Sequence, residues 1–308
     1  SQPKAIYKNS PCPKMLKAIL KNLYQESPKY FVDRLRTHRK ERMSRAIIAD
    51  YLKSNDVKKL QIGCGTNILE GWLNEGTYDA FIVTPFRATS LNSALTRATE
   101  EGIPIINIDE LIPADAARDA GIDIDTQIAS NNVQAGQLAA NLVLESLSDG
   151  EQVAVIEGAP GTTSSIDRVS GFADTASENG LEVVASQPAN WDRAEAFNVA
   201  TNILQGNPDI QAIFAANDGM GLGVVEAIEA AGLTGQVIVL SVDAIPEAQQ
   251  AVREGRLAGT VAQFPDEMAY LAIEGLIKLA EGRPVAPMME SPVVLYTAET
   301  VPAASEER

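Results

Sequence analysis

Tyr78-Asp79-Ala80-Phe81-Ile82-Val83-Thr84-Pro85 and Gly102-Ile103-Pro104-Ile105-Ile106-Asn107-Ile108-Asp109 are two short apolar runs, each closed by polar or turn residues. Between them, residues 90–101 carry apolar positions at helical spacing. Continuous apolar runs separated by helices of ~10–15 residues are the mark of strands buried on both faces of a parallel sheet. Outward from this pair the alternation continues. Strands are expected at 59–62, 80–83, 103–108, 153–156, 181–184, 212–215 and 237–240, and helices at 90–101, 133–146, 168–179, 194–204 and 221–231. Strung together as right-handed βαβ units, they predict a doubly wound α/β architecture with its function at the carboxyl ends of the strands.

Composition sets the outer limits. The 308 residues are 45% hydrophobic, too apolar for a disordered chain and long enough for two domains. No uninterrupted apolar run approaches the ~20 residues of a membrane-spanning helix. The net charge of −16 is unevenly spread. Residues 1–75 hold 15 Lys+Arg and 7 Asp+Glu, a net of +8, whereas residues 76–308 hold 10 and 34, a net of −24. Lys278 is the only lysine after residue 75, and Cys12, Cys64 and His38 all lie before it. Such an asymmetry fits a basic arm that meets an anionic partner, or two pieces of different history.

Chemistry is constrained by the same counts. Without His or Cys, residues 76–308 hold no Ser-His-Asp triad, no Cys nucleophile and no His/Cys zinc site. Neither a catalytic residue nor a metal ligand is expected. Cys12 and Cys64 lack CxxC spacing and read as free thiols, and His38, within Arg36-Thr37-His38-Arg39-Lys40, reads as part of a solvated basic face.

The strand ends carry a different vocabulary. Thr84-Pro85, Asp109-Glu110, Glu157-Gly158-Ala159-Pro160-Gly161-Thr162, Asn217-Asp218, Asp243 and Gln263 close successive runs, joined by Arg168 and by Trp191-Asp192-Arg193. Planar polar side chains can hydrogen-bond paired hydroxyls while an aromatic ring covers a C–H face, so the set suits a polyhydroxylated ligand. Each residue alone also suits a cap or a turn. Together they converge.

Over residues 76–308 these segments, with Asp167-Arg168-Val169-Ser170-Gly171-Phe172, Ser186-Gln187-Pro188-Ala189-Asn190-Trp191-Asp192-Arg193, Phe214-Ala215-Ala216-Asn217-Asp218-Gly219-Met220 and Val261-Ala262-Gln263-Phe264-Pro265-Asp266, resemble the type I periplasmic sugar-binding proteins of the ribose/allose-like family, the substrate-capturing components of bacterial ABC importers. The resemblance implies two doubly wound parallel-sheet lobes, 76–126 with 264–290 and 127–263 with 291–308, preceded by a basic helical segment over 1–75. It implies that Asp109 and Arg168 bind sugar hydroxyls, that Trp191 stacks on the ring, and that Asn217, Asp243 and Gln263 complete a polar cage, with Thr84 as a further contact beside Phe86 and Arg87. Members often follow the aspartate with arginine, where this chain has Glu110. The implied ligand is a pentose, hexose or small polyol, captured by hinge closure with crossovers near 125–130, 242–244 and 263–265. The implied partner is an ABC permease, with a monomeric protein, no cofactor, no bond chemistry, no nucleic acid, and a periplasmic or extracellular location.

Residues 1–67 follow another pattern. The helical-period stretch 13–53 carries a basic face, and Lys58-Lys59-Leu60-Gln61-Ile62-Gly63-Cys64-Gly65-Thr66-Asn67 resembles the entrance to a class I S-adenosylmethionine-dependent methyltransferase, a strand followed by Gly-x-Gly. Gly63 and Gly65 would be the cofactor-binding positions there. A sterically required turn, or a basic module for nucleic acid or membrane, accounts for the same residues. No apolar h-region with a small-residue cleavage site opens the chain, so no secretory signal is expected in it. The join of the two patterns is expected near 67–75, where the charge also changes sign, and makes the chain a chimera.

Overall fold

The computed structural model describes residues 61–64, 80–87 and 89–303. In chain order the strands are β1 (Gln61–Cys64), β2 (Phe81–Thr84), β3 (Ile105–Ile108), β4 (Thr126–Ser130), β5 (Gln152–Glu157), β6 (Glu182–Pro188), β7 (Ile210–Ala215), β8 (Ile238–Asp243), β9 (Gly259–Ala262), β10 (Met288–Ser291) and β11 (Val294–Thr297). The helices are α1 (Asn92–Glu100), α2 (Ala114–Asp119), α3 (Asn132–Leu144), α4 (Thr163–Glu178), α5 (Arg193–Gly206), α6 (Asp218–Ala230), α7 (Pro246–Arg253) and α8 (Pro265–Ala280). None is long and apolar enough to cross a membrane.

The chain forms two compact units. One takes the described residues up to Ala129 with Pro265–Met289, and the other takes Ser130–Phe264 with the described residues from Glu290 onward. The chain therefore passes between them after Ala129, Phe264 and Met289. The crossover expected at 242–244 is corrected: these residues lie inside the second unit, at the end of a strand of its sheet.

The sheet of the first unit runs β1-β2-β3-β4-β10, and its first four strands are parallel. Alternation along the strands assigns the two faces. Phe81 and Val83 pack with Leu95 and Ala98 of α1 on one side, while Ala80 and Ile82 pack with Met268, Ala272 and Leu276 of α8 on the other. The spacing of four residues along α8 places its three side chains on one stripe, and Pro265 sits in the first turn, where a missing N–H costs nothing. Gly63 is a strand residue, opposite Val83, and not a position in the turn after the strand. The strand expected at 59–62 thus lies two residues later and shares a sheet with β2. Gly65 and the basic stretch 13–53 lie outside the described residues.

In the second unit the order is β11-β9-β8-β7-β5-β6, parallel except for the antiparallel pairing of β11 on β9. β6 lies on one side of β5 and β7 to β9 on the other, so the strand order reverses at β5. A reversal of this kind opens a crevice at the carboxyl ends of β5 and β7. Phe172 of α4 stacks on Phe214 of β7 with ring centroids 4.6 Å apart, both fully buried, each contributing about 1.5–3 kcal/mol through removal from water.

Helices α3 and α4 approach through glycine. A Cβ on Gly136 would overlap the Arg168 carbonyl, and one on Gly171 would overlap the Val133 carbonyl. No other residue fits this crossing. Gly171→Ala is expected to lower unfolding free energy by about 1–3 kcal/mol, read by urea denaturation, through overpacking against backbone. Gly206→Ala, at a position with open space around it, is expected to change it by less than about 0.5 kcal/mol.

Candidate functional site

In the first unit the site residues are set by one buried amide. Asn107, fully buried near the end of β3, donates from Nδ2 to the carbonyls of Val83 (3.2 Å) and Glu110 (3.0 Å), and its Oδ1 accepts from Ile112 N (3.1 Å). It ties the end of β2 to the loop after β3. Thr84 closes β2 half-buried, and Asp109 is exposed, with φ +68° and its N–H on the Ile128 carbonyl at 2.8 Å. Glu110 beside it is buried. Phe86 is exposed, with the Arg87 guanidinium 5.6 Å above its ring.

In the second unit the organising group is the guanidinium of Arg168, 4% exposed on α4. Nε donates to Asn132 Oδ1 at 2.9 Å; Nη1 donates to the Ala216 carbonyl at 2.7 Å and to Asp243 Oδ1 at 3.3 Å. The glycine contact of α3 with α4 is what brings Asn132 within reach. The ring of Trp191 lies under the same guanidinium, with Cζ 5.7 Å from its centroid. Gln263 Nε2 donates to Asp243 Oδ1 at 2.6 Å, while Gln263 Oε1 is buried without a partner among the described residues. Arg168, Trp191, Asp243 and Gln263 therefore form one connected cluster.

Asn217 lies next to Ala216, whose carbonyl Arg168 grips. Its Oδ1 caps α6 by accepting from Met220 N at 2.9 Å, which satisfies one of the helix's orphan donors and leaves Nδ2 for other use. Trp191 is held by a tight turn. Asp192 N donates to the Ala189 carbonyl at 2.8 Å across Asn190 (φ +52°) and Trp191 (φ +65°), and Asp192 then caps α5.

Backbone strain falls on these positions. Among the described residues, five non-glycine residues have positive φ: Asp109, Asn190, Trp191, Asp243 and Ala244. Three of them are expected ligand residues and the other two are their chain neighbours. A bulky or branched chain at positive φ costs on the order of 1–3 kcal/mol and persists where its surroundings hold it. Strain of this kind collects at ligand clamps.

Four residues central to this geometry were outside the expected set: Asn107, Asn132, Gly158 and Asp218. Asn107 is detectable as an amide inside the apolar run Ile105-Ile106-Asn107-Ile108. Gly158 follows β5, and a Cβ there would overlap the indole of Trp191, so only glycine admits the ring. Asn132 acts through a partner distant in sequence and no local signal marks it, while Asp218 stands in the strand end Asn217-Asp218 but has its partners Ser241 and Thr260 far along the chain. Among the described residues, no group of three His, Cys, Asp or Glu side chains could hold a metal ion.

The sequence profile of the periplasmic binding protein domain matches residues 66–284. The D-allose-binding periplasmic protein of Escherichia coli is 36% identical over 222 residues, 71% of each chain. The ribose import binding protein of Bacillus subtilis is 34% identical over 258 residues, 84% of this chain and 79% of its own. A crystal structure of an ABC transporter periplasmic solute-binding protein from Actinobacillus succinogenes with bound D-allose superposes with a TM-score of 0.68 at 37% identity, over 72% of this chain and 78% of that one.

The Gly158 contact is directly testable. Gly158→Ala is expected to displace the Trp191 ring from the guanidinium and shift its emission to longer wavelength, measured in a Trp72→Phe background where Trp191 is the one remaining tryptophan. An unshifted spectrum would show that the ring does not rest against Gly158.

Proposed function

The chain belongs to the family of periplasmic binding protein domains, and from that premise we propose that it captures a pentose, hexose or small polyol as the solute-binding component of an ABC importer. Sugar binding is its function. The observation that carries the finer reading is the second unit's cluster, which presents donors, an acceptor and an aromatic face together. The two Nη2 protons of Arg168 and the Asn217 Nδ2 group supply donors, Gln263 Oε1 supplies a buried acceptor without a partner, and the indole supplies an apolar face. A sugar hydroxyl donates and accepts at once and fits between such groups, while ring C–H bonds cover the indole. An unpaired buried acceptor costs about 1–3 kcal/mol, which a ligand hydroxyl on Gln263 Oε1 recovers.

The proposal assigns Thr84 and Asp109 in the first unit, and Arg168, Trp191, Asn217, Asp243 and Gln263 in the second, to ligand contact. No bond is made or broken. Ligand favours one arrangement of the chain over another through these contacts, with the passages after Ala129, Phe264 and Met289 as hinges. The permease of an importer is the proposed partner, a monomer the proposed state, and the periplasm or cell exterior the proposed location. Residues 1–65 precede the family match. That residues 1–67 were joined from a methyltransferase-like source remains part of the proposal, and what supports it is the strand with Gly-x-Gly at Lys58–Asn67 and the change of charge sign near residue 75.

Isothermal titration with D-ribose, D-allose, D-xylose and ribitol tests the function. At least one is expected to bind, and Trp191→Ala and Gln263→Leu are each expected to weaken it by about tenfold or more while the circular dichroism spectrum is kept. A folded protein that gives no heat with any of the four would overturn the proposal.

A further inference from the structure

Asp218 is a fully buried carboxylate at the first position of α6, outside the ligand set named above. Its Oδ1 accepts from Ser241 Oγ at 2.5 Å and from Thr260 Oγ1 at 2.6 Å; its Oδ2 accepts from Ile245 N at 2.7 Å. Thr260 Oγ1 in turn accepts from Ala244 N at 3.1 Å. Both backbone N–H groups that follow Asp243 are therefore held, one directly and one through a hydroxyl. Those two anchors bracket the strained step at Asp243 (φ +121°) and Ala244 (φ +56°). Gly221 completes the arrangement, since a Cβ there would meet Ser241 and push β8 from the helix.

We propose that Asp218 is a positioning residue for ligand binding: its carboxylate, with Thr260, clamps residues 244 and 245 and so fixes the Asp243 side chain where Arg168 and Gln263 meet it. The inference rests on the sugar-binding reading. Without the clamp, Asp243 relaxes toward ordinary backbone angles and its carboxylate leaves the Arg168 and Gln263 donors. The ionised Asp218 accepts these three hydrogen bonds as charge-assisted contacts, whereas the protonated group is a weaker acceptor whose O–H faces groups that already donate to it.

Ionisation is within reach of mild pH. Burial, with the neighbouring Asp243 charge, pushes Asp218 up to about 7, against the opposing hydrogen bonds from Ser241, Thr260 and Ile245. Asp243, itself against Arg168, is the charged group that bears on it; β9 presents Thr260, β8 presents Ser241, and the loop presents a backbone N–H. The signs for folding and for binding are opposite. A carboxyl raised from 3.8 in the unfolded chain contributes folding stability that is full below about pH 4 and lost as pH rises through about 7. Ligand binding, which needs the ionised clamp, strengthens over that upper range. Residues 76–308 contain no histidine to confuse the reading, and His38 can be removed.

The test is titration of D-allose and D-ribose at pH 6 and pH 8 into the full chain, in a His38→Gln background. Affinity is expected to rise by up to about tenfold from pH 6 to pH 8, the change for one linked proton. Asp218→Asn is expected to be flat over the same range and to lose the fall in melting temperature between pH 4 and pH 8 that the buried carboxyl causes. Thr260→Val is expected to weaken binding at pH 8 by about tenfold, through loss of the Ala244 acceptor. If Asp218→Asn fails to fold, the His38→Gln profile and Thr260→Val decide. A profile flat between pH 6 and pH 8 without Asp218 changed, a slope retained in Asp218→Asn, or unchanged binding by Thr260→Val would overturn the positioning role while sugar binding stands. Absence of binding by the otherwise unaltered chain to either sugar would overturn the functional reading, and this inference with it.

Discussion

A guanidinium cannot be buried without oxygens placed to receive it, and the second unit is arranged around that demand. Arg168 draws its acceptors from three elements: Asn132 at the start of α3, the Ala216 carbonyl after β7, and Asp243 at the end of β8. Each acceptor requires its own support. Asn132 is within reach because Gly136 and Gly171 let α3 and α4 cross closely; Ala216 follows β7, the neighbour of the strand β5 at which the order reverses; Asp243 stands on a strained turn. Spending Nε and Nη1 on protein acceptors fixes the plane of the group, so Nη2 is presented in one orientation. A fixed plane suits the proposed recognition of a sugar, because hydroxyls around a ring differ only in direction.

Much of the fold was legible in the sequence because both unit cores obey simple periods. Seven expected runs correspond to strands, most plainly where a strand covered on both faces is apolar at every position, as in Phe81-Ile82-Val83 or Val153-Ala154-Val155-Ile156. The runs that escaped notice are those whose burial comes from elsewhere. β4, Thr126-Gln127-Ile128-Ala129-Ser130, is polar at both ends, and β9, Gly259-Thr260-Val261-Ala262, is small and opens on glycine, yet all four of its residues are buried. β10 and β11 are short and half-exposed, with Pro292 between them, so neither period nor composition marks them. α7 and α2 are too short for a helical period to stand out.

For the site, the sequence displayed the groups that end strands and hid those that hold them. Asp109, Asn217 and Asp243 were visible because a polar residue after an apolar run is a local signal. The grip of Asn132 on Arg168 spans 36 positions, and that of Thr260 on Asp218 spans 42. Such pairs exist only once the helices and strands are packed. Positive φ is likewise invisible in Trp191, since it is not the glycine, asparagine or aspartate that ordinarily announces it. Strain imposed by the surrounding structure leaves no mark on the residue that bears it.

The edge of the first sheet shows the same division between what backbone and side chain must supply. β1 joins β2 in parallel register over four residue pairs, and that pairing asks only for extended backbone with free N–H and C=O groups. Gly63 keeps that ladder, because a ladder bond does not involve the side chain, although a glycine inside a strand gives up side-chain packing. A strand seat can accordingly be filled by sequence of another origin with little change to the sheet. A side-chain network cannot, because its contribution lies in particular side chains at particular angles, as the hydrogen bonds of Asn107 and Arg168 require. The sheet and the recognition groups therefore answer to different constraints.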